Sequence, residues 1–419
     1  MKDIYKNINV LHDINLPNIL KAIDIVQNLI KKNGYIIYGG MAIDLALRKF
    51  GSRIYEDNEI PDLDFYAPNY LEVCRNIIKE LKKVTEANVY CIRAKFIRTM
   101  RISVGDNNFI ADVSYMPDIV FQKIPTETFD GMRFIHPHVQ MVDLHSSLLF
   151  PYDNSPQEVV LARWEKDITR FNLLYEYYSP KEKEDPKIEF LPLETVTITK
   201  DVLAYSVLGS FAAYAFLYYS VDVIPDKEIP QLPRPIIKDK EIIVSIPFGT
   251  IECYTHNTEK ENLVPAFMDL MEPYKQEPKL IKYVIFNRLI GYWSKDNVRI
   301  VSVQGLLKLF LAHYIIETYF GNPNKGQVYL KFYLATMTLV RIGPADIVNP
   351  ATKPFGGTNV SLGDYVRLYS DLVNLAKKKN IMTGPEIILP PAFIDEESGQ
   401  YPNEYYYKNS PFLQVSGPY

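Results

Sequence analysis

Cysteine is scarce in this chain: Cys74, Cys91 and Cys253 are the three among 419 residues. An odd number without metal-ligand spacing excludes a disulfide framework and a cysteine metal cluster, and leaves reduced, inert thiols in a cytosol-like compartment as the expectation. Histidine gives no metal pattern either. His136, His138 and His145 follow one another as HPH and a later H, a spacing that fits no zinc site, so they are read as satisfied core or surface histidines. A basic excess is missing: the net charge is −4. Any nucleic-acid contact must therefore come from local basic patches. Long hydrophobic runs are missing as well. The longest uncharged stretch, VLAYSVLGSFAAYAFLYYSV at 202–221, has the length of a membrane span. Ser, Gly and Tyr recur in it and no basic flank orients it, so a buried helix is the better expectation. The N-terminal MKDIYKNINVLHDINLP is too polar for a secretory signal.

What is present is an ordinary globular composition, 47% hydrophobic and 23% charged, in a chain long enough for two or three domains. Apolar residues at helical spacing over 16–32 end in Lys-Lys-Asn-Gly34, a helix stop. YIIY (35–38) reads as a strand, Gly39-Gly40 as a turn and 41–50 as a helix. The polar GSRIYEDNEIP leads into a DLDFY strand, then a helix over 70–83, β-structure over 88–115 with GDNN as a turn, and helices near 139–149 and 156–178. SPKEKEDPK (179–187) reads as a surface linker. A helix-like run at 200–220 follows, then strands near 242–247, 250–255, 282–287 and 298–303, and helices near 305–320 and 326–341. The expected division is 1–185, 186–385 and a Pro/Tyr-rich extension over 386–419. VLGSFAAYAFL (207–217) echoes IYGGMAIDLAL (37–47). The echo reads either as a duplicated domain that lost its carboxylates, with only Glu252 on offer, or as a small-residue helix without shared ancestry.

The chemistry gathers in the first part. A strand running into Gly39-Gly40 and then a helix presents unpaired amides to an anion, though most Gly-Gly pairs are merely turns. In IPDLDFYAPN, Asp62 and Asp64 share one strand face while Leu63 and Phe65 share the other. Two neighbouring carboxylates raise each other's proton affinity unless a cation pairs with them, and hard divalent ions take oxygen ligands of this kind. Asp112, in FIADVSYM, stands mid-strand and needs a partner. Arg101 on the paired strand can supply one. If the strand lies beside DLDFY, Asp112 instead completes a three-carboxylate site for two metal ions.

Strand, Gly-Gly, helix, a D-x-D strand and a later strand with one Asp, in that order, resemble the nucleotidyltransferase superfamily related to DNA polymerase beta. Within it, YGGMAIDLAL, IYEDNEIPDLDFYAPN, FIADVSYMP and RWEKDITRFNLLYEYY are similar to the poly(A) polymerase catalytic subunits of large nucleocytoplasmic DNA viruses, over about residues 30–180. The resemblance implies an α+β catalytic domain, a mixed sheet flanked by helices, followed by a second α/β domain. It implies Gly39 and Gly40 on the nucleotide phosphates, and Asp62, Asp64 and Asp112 as ligands of Mg²⁺ or Mn²⁺. It also makes the Arg163, Lys166 and Arg170 face of the helix over 160–174 a candidate for triphosphate or RNA contact, against a solvated charged face shared with Glu165 and Asp167. In RAKFIRTMR, Arg93, Lys95, Arg98 and Arg101 suit an RNA backbone or ordinary surface charge. Any of the 31 tyrosines could stack bases in a single-strand channel, and none can be singled out.

The activity so implied is template-independent addition of AMP from ATP to an RNA 3′ end. The alternatives are a nucleotidyltransferase acting on a protein, tRNA or small molecule, and a non-catalytic RNA-binding scaffold. A homodimer or a separate processivity subunit, no membrane, and the host cytoplasm (the viral factory) or virion complete the implied setting.

Overall fold

In a computed structural model of the chain, the described residues are 16–149 except 57, 58, 60, 61, 95–98, 106 and 107, then 160–181, and strands and helices between 194 and 355. They fall into two compact units. One holds the described residues up to Met141 together with Leu173–Ser179; the other holds Val142–Asn172 and what is described from Pro180 onward.

The first unit opens with helix α1 (Leu16–Asn33), which buries Ile19, Ala22, Ile23, Val26 and Ile30 on one face. Gly34 at φ 65° ends it, and the amide of Tyr35 donates back to the carbonyl of Ile30 at 3.2 Å. That is a left-handed helix stop of the kind glycine makes easy. Strand β1 (Ile36–Ile37) and helix α2 (Gly39–Arg48) follow, then β2 (Leu63–Ala67), α3 (Tyr70–Leu81), β3 (Val89–Arg93), β4 (Thr99–Val104) and β5 (Phe109–Tyr115). Helix α4 (Asp118–Lys123), the hairpin β6 (Thr126–Phe129) and β7 (Met132–Ile135), α5 (Pro137–Leu149) and α6 (Val160–Tyr178) complete this part of the chain. The strands make one mixed seven-stranded sheet, ordered β3-β4-β5-β2-β1-β7-β6. Central β1 is antiparallel to β2 and parallel to β7, and β2 is parallel to β5. This is the α+β arrangement expected from the sequence. The β6–β7 hairpin was not: its strands have four residues each, too short for alternation to stand out.

The second unit carries another seven-stranded sheet, built from β9 (Val207–Leu208), β12 (Ile251–Asn257), β13 (Glu272–Glu277), β14 (Leu280–Phe286), β15 (Ile290–Lys295), β16 (Val298–Val301) and β17 (Lys353–Phe355). Three further strands, β8 (Glu194–Thr199), β10 (Ile236–Lys238) and β11 (Glu241–Ile246), pair apart from it. The large sheet is ordered β13-β14-β12-β9-β16-β15-β17. Its plan repeats that of the first sheet. Central β9 is antiparallel to β12 and parallel to β16, β12 is parallel to β14, and β13–β14 and β15–β16 are antiparallel hairpins. Each of these pairings has a counterpart in β1–β2, β1–β7, β2–β5, β4–β5 and β6–β7. Helices α7 (Val303–Phe320) and α8 (Pro323–Ile342) follow β16 much as α5 and α6 follow β7.

Where the sequence suggests a helix at 200–220, Val207–Leu208 is a central strand followed by a bend at Gly209; the rest of that run lies outside the described residues. A continuous apolar run lacks the alternation that separates a buried strand from a buried helix. Most of the 179–187 linker and all of 386–419 also lie outside the described residues. Among the described residues, no helix is long and apolar enough to cross a membrane.

Candidate active site

The alternation of β2 does what the sequence predicts. Leu63 and Phe65 are fully buried on one face, Asp64 is half-buried on the other, and Asp62, two residues earlier, is exposed. β5 lies directly beside β2, in parallel, with Asp112 the register partner of Asp64. The third carboxylate therefore shares a row with the second, on neighbouring strands whose side chains lie roughly 5 Å apart. Like charges in that position repel. β4 supplies the relief: Arg101 is the register partner of Asp112 on its other side. Its Nε donates to Oδ1 at 2.8 Å and its Nη2 to Oδ2 at 2.7 Å. The guanidinium is held above its ordinary proton affinity, first by its hydrogen bond to Asp112 and, more weakly, by the charges of Asp62 and Asp64. One line across the sheet thus reads Arg101, Asp112, Asp64.

The next strand continues it. The amide of Tyr38, at the end of β1, donates to the carbonyl of Asp64 at 2.9 Å. Helix α2 then starts at Gly39 itself, where the sequence reading places a turn before the helix. Gly39 has φ 68°, and a Cβ built on it would lie 2.9 Å from Asp64 Oδ2. Only glycine lets the chain turn so close to that carboxylate. Tyr38 caps the helix in extended geometry without a side-chain hydrogen bond, so its own side chain leaves the first-turn amides to other acceptors. Beneath the row, the Tyr38 hydroxyl meets Ser114 Oγ at 2.8 Å, and Ser114 Oγ meets Thr99 Oγ at 2.8 Å. Burial, and next the charge of Asp64, push the Tyr38 phenol well above its ordinary value, so it stays protonated. The ring stacks on Tyr66 at 4.1 Å between centroids. Sequence reasoning missed this hydroxyl chain, since nothing in the sequence aims Tyr38 at Ser114.

Asp44 was also missed. It is buried at 1% exposure inside α2. Its Oδ1 accepts from the amides of Ile54 at 2.9 Å and Tyr55 at 3.1 Å, and its Oδ2 from Arg48 Nε at 2.5 Å. It thereby ties the GSRIYEDNE loop to the helix that starts at the glycines.

The other candidates separate. Arg163 and Lys166 are exposed and Arg170 half-buried on a stretch of α6 that belongs to the second unit. They surround Asp167, whose carboxyl burial pushes up to about 6 against the charges of Lys166 and Arg170. Arg93 is exposed at the end of β3, Arg101 is turned onto Asp112, and Lys95 and Arg98 lie outside the described residues. His138 meets the Tyr178 carbonyl at 3.0 Å and His145 Nε2 the Tyr333 hydroxyl at 3.1 Å, whereas the buried His145 Nδ1 has no hydrogen-bond partner, so the expectation of satisfied histidines fails at that atom. Cys74 and Cys91 are free thiols.

Hard carboxylate oxygens and the start of a helix at Gly39 suit a divalent ion and a phosphate beside it. Among the described residues, however, no three His, Cys, Asp or Glu side chains are gathered as ligands of one ion. Asp112 instead turns both oxygens to Arg101.

The chain is similar to known proteins. The family model of the poly(A) polymerase catalytic subunit matches residues 24–154. A protein of African swine fever virus described as a poly(A) polymerase catalytic subunit is 30% identical over 381 residues, covering 84% of this chain and 77% of its own. One of Acanthamoeba polyphaga mimivirus, with the same description, is 20% identical over 287 residues, covering 64% of this chain and 47% of its own. Among solved structures, the Megavirus polyadenylate synthase matches with a TM-score of 0.57 over 99% of this chain and 86% of that one. At 16% identity the likeness is one of fold.

Proposed function

Because this chain belongs to the poly(A) polymerase catalytic subunit family, we propose that it transfers AMP from ATP to an RNA 3′ end at the row of Asp62, Asp64 and Asp112 beside Gly39-Gly40. The enzyme is a polynucleotide adenylyltransferase. The 3′-oxygen attacks the α-phosphorus, the bond to pyrophosphate breaks, and one AMP is added per cycle.

The observation that carries the reading is the in-register Asp64–Asp112 pair, with Gly39 so close to Asp64 that a larger residue would displace its carboxylate. Asp62, Asp64 and Asp112 would hold Mg²⁺ or Mn²⁺. When bound, the ions act as Lewis acids on the charge that develops during the in-line displacement. Gly39 and Gly40 present first-turn amides to the triphosphate, where the helix N-terminus favours anionic oxygens. Asp112 is the carboxylate assigned to take or orient the proton of the attacking hydroxyl. The Tyr38–Ser114–Thr99 chain keeps the floor of the site rigid and neutral.

The second sheet is read as a copy of the same fold without the chemistry. Its pairing plan is shared, yet β14, which takes the place of β5, reads LIKYVIF and holds no carboxylate. Its role would be RNA binding or an interface. The relatives' description as catalytic subunits supports a separate partner, which would set processivity.

Incubation with Mg²⁺, labelled ATP and a short single-stranded RNA tests the reading. A ladder of products is expected, and its loss in Asp64→Asn. One added nucleotide, or label on protein, would point to a different acceptor. No incorporation at all would leave a binding scaffold.

A further inference from the structure

We propose that Arg101 is a built-in counter-ion of the carboxylate row: it holds Asp112 in the metal-free protein and gives it up when a divalent ion binds. The inference rests on the metal assignment above and adds an exchange step to it.

Three observations carry it. First, the pairing is fixed by the fold and not by a chance rotamer, since Arg101 and Asp112 are register partners on β4 and β5. The fork is bidentate, with contacts of 2.8 and 2.7 Å that engage both carboxylate oxygens. Second, the same guanidinium also feels the charges of Asp62 and Asp64, more weakly than that of Asp112. Asp64 and Asp112 are like charges in register on neighbouring strands, and the guanidinium lessens their repulsion. Third, the arginine has freedom to leave. Its side chain is 40% exposed, against 16% for Asp112, and its guanidinium lies 5.0 Å from the Phe109 ring centroid, a resting surface that does not depend on Asp112.

A divalent ion at this row meets two obstacles from Arg101. Both Asp112 oxygens already accept a hydrogen bond, and a positive charge stands beside the ligand set. Binding therefore requires Asp112 to reorient or Arg101 to withdraw. The exchange leaves a cation beside the row in both states, which lessens the repulsion among the carboxylates.

The test is Mn²⁺ binding without ATP or RNA, followed by the electron paramagnetic resonance signal of free Mn²⁺, for the wild type, Arg101→Met, Arg101→Lys and Asp64→Asn. Removing the competing charge is expected to tighten Mn²⁺ binding roughly tenfold in Arg101→Met. Arg101→Lys, which keeps the charge and loses the fork, should tighten it less. The metal-free melting temperature of Arg101→Met should fall, and saturating Mn²⁺ should raise it by more than in the wild type. Unchanged or weaker Mn²⁺ binding in both arginine variants, with binding still lost in Asp64→Asn, overturns the exchange and leaves the metal site standing. Wild-type binding that is absent, or indifferent to Asp64→Asn, removes the metal site and the exchange together. If Arg101→Met does not fold, Arg101→Lys carries the comparison.

Discussion

Gly39 and Asp64 are so close that a single methyl group would collide between them: a Cβ on Gly39 would stand 2.9 Å from Asp64 Oδ2. Gly39→Ala therefore combines two penalties, a left-handed φ of 68° and displacement of a carboxylate. Gly51 separates them. It has φ 75° and open space around its Cβ position, so Gly51→Ala carries the backbone strain alone. Each variant should lose about 1 kcal/mol of stability through backbone strain. Only Gly39→Ala should also lose most of its AMP incorporation. Melting curves and the labelled-ATP assay on the pair check this, and equal activity in the two variants would remove the close approach as a functional feature.

Asp64 and Asp112 should respond differently to the same substitution. Asp64→Asn relieves repulsion with Asp112, so the metal-free melting temperature should stay level or rise. Asp112→Asn strips Arg101 of its bidentate partner, and stability should fall by about 1 kcal/mol, the pair being partly open to solvent. Both variants should lose activity by roughly a hundredfold or more. Melting without metal, set beside the incorporation assay, reads both effects.

The α+β fold of the first sheet and the strand faces of its acidic residues were both legible in the sequence. D-x-D in an alternating strand fixes which face carries the acids, whatever the rest of the chain does. The Arg101–Asp112 pairing follows from GDNN, because those residues lie equally far from the turn. Tyr38 and Asp44 were illegible for a physical reason. Each acts through tertiary contacts, to Ser114 and to the amides of Ile54 and Tyr55, which leave no local periodicity. The same holds for β9, whose two residues are a strand only because β12 and β16 flank them.

Asp44 should prove structural to the loop before Asp62. Asp44→Ala leaves two amides and Arg48 without their buried acceptor, a loss of about 2–3 kcal/mol. Asp44→Asn keeps one acceptor oxygen and should lose less. Limited proteolysis reads the effect directly: cleavage between residues 52 and 62 should be fastest in Asp44→Ala, intermediate in Asp44→Asn and slowest in the wild type. Equal cleavage in all three would show that the loop is held by something else.

Acid should destabilise the protein from about pH 6.5 downward, where unfolded histidines take up protons. Burial lowers the folded values of His136 to about 4 and of His138, His145 and His313 to about 3. Between those limits the unfolded chain binds more protons than the folded one, so each step down in pH favours unfolding. The contribution of the neutral histidines is complete above pH 6.5 and is lost as pH falls toward 4 and then 3. Asp167 works the other way. Its folded value is about 6, above the unfolded carboxyl, so the folded state takes up the extra proton between about pH 6 and pH 4. One carboxyl opposes four histidines, and the net effect is loss. Melting temperatures from pH 7.5 to pH 5 should therefore decline. The decline should be shallower in His145→Phe, which has one fewer site to protonate. It should be steeper in Asp167→Asn, which also gains stability at pH 7.5 because no charge has to be buried. A flat profile in the wild type would mean that these imidazoles are open to water in the folded protein.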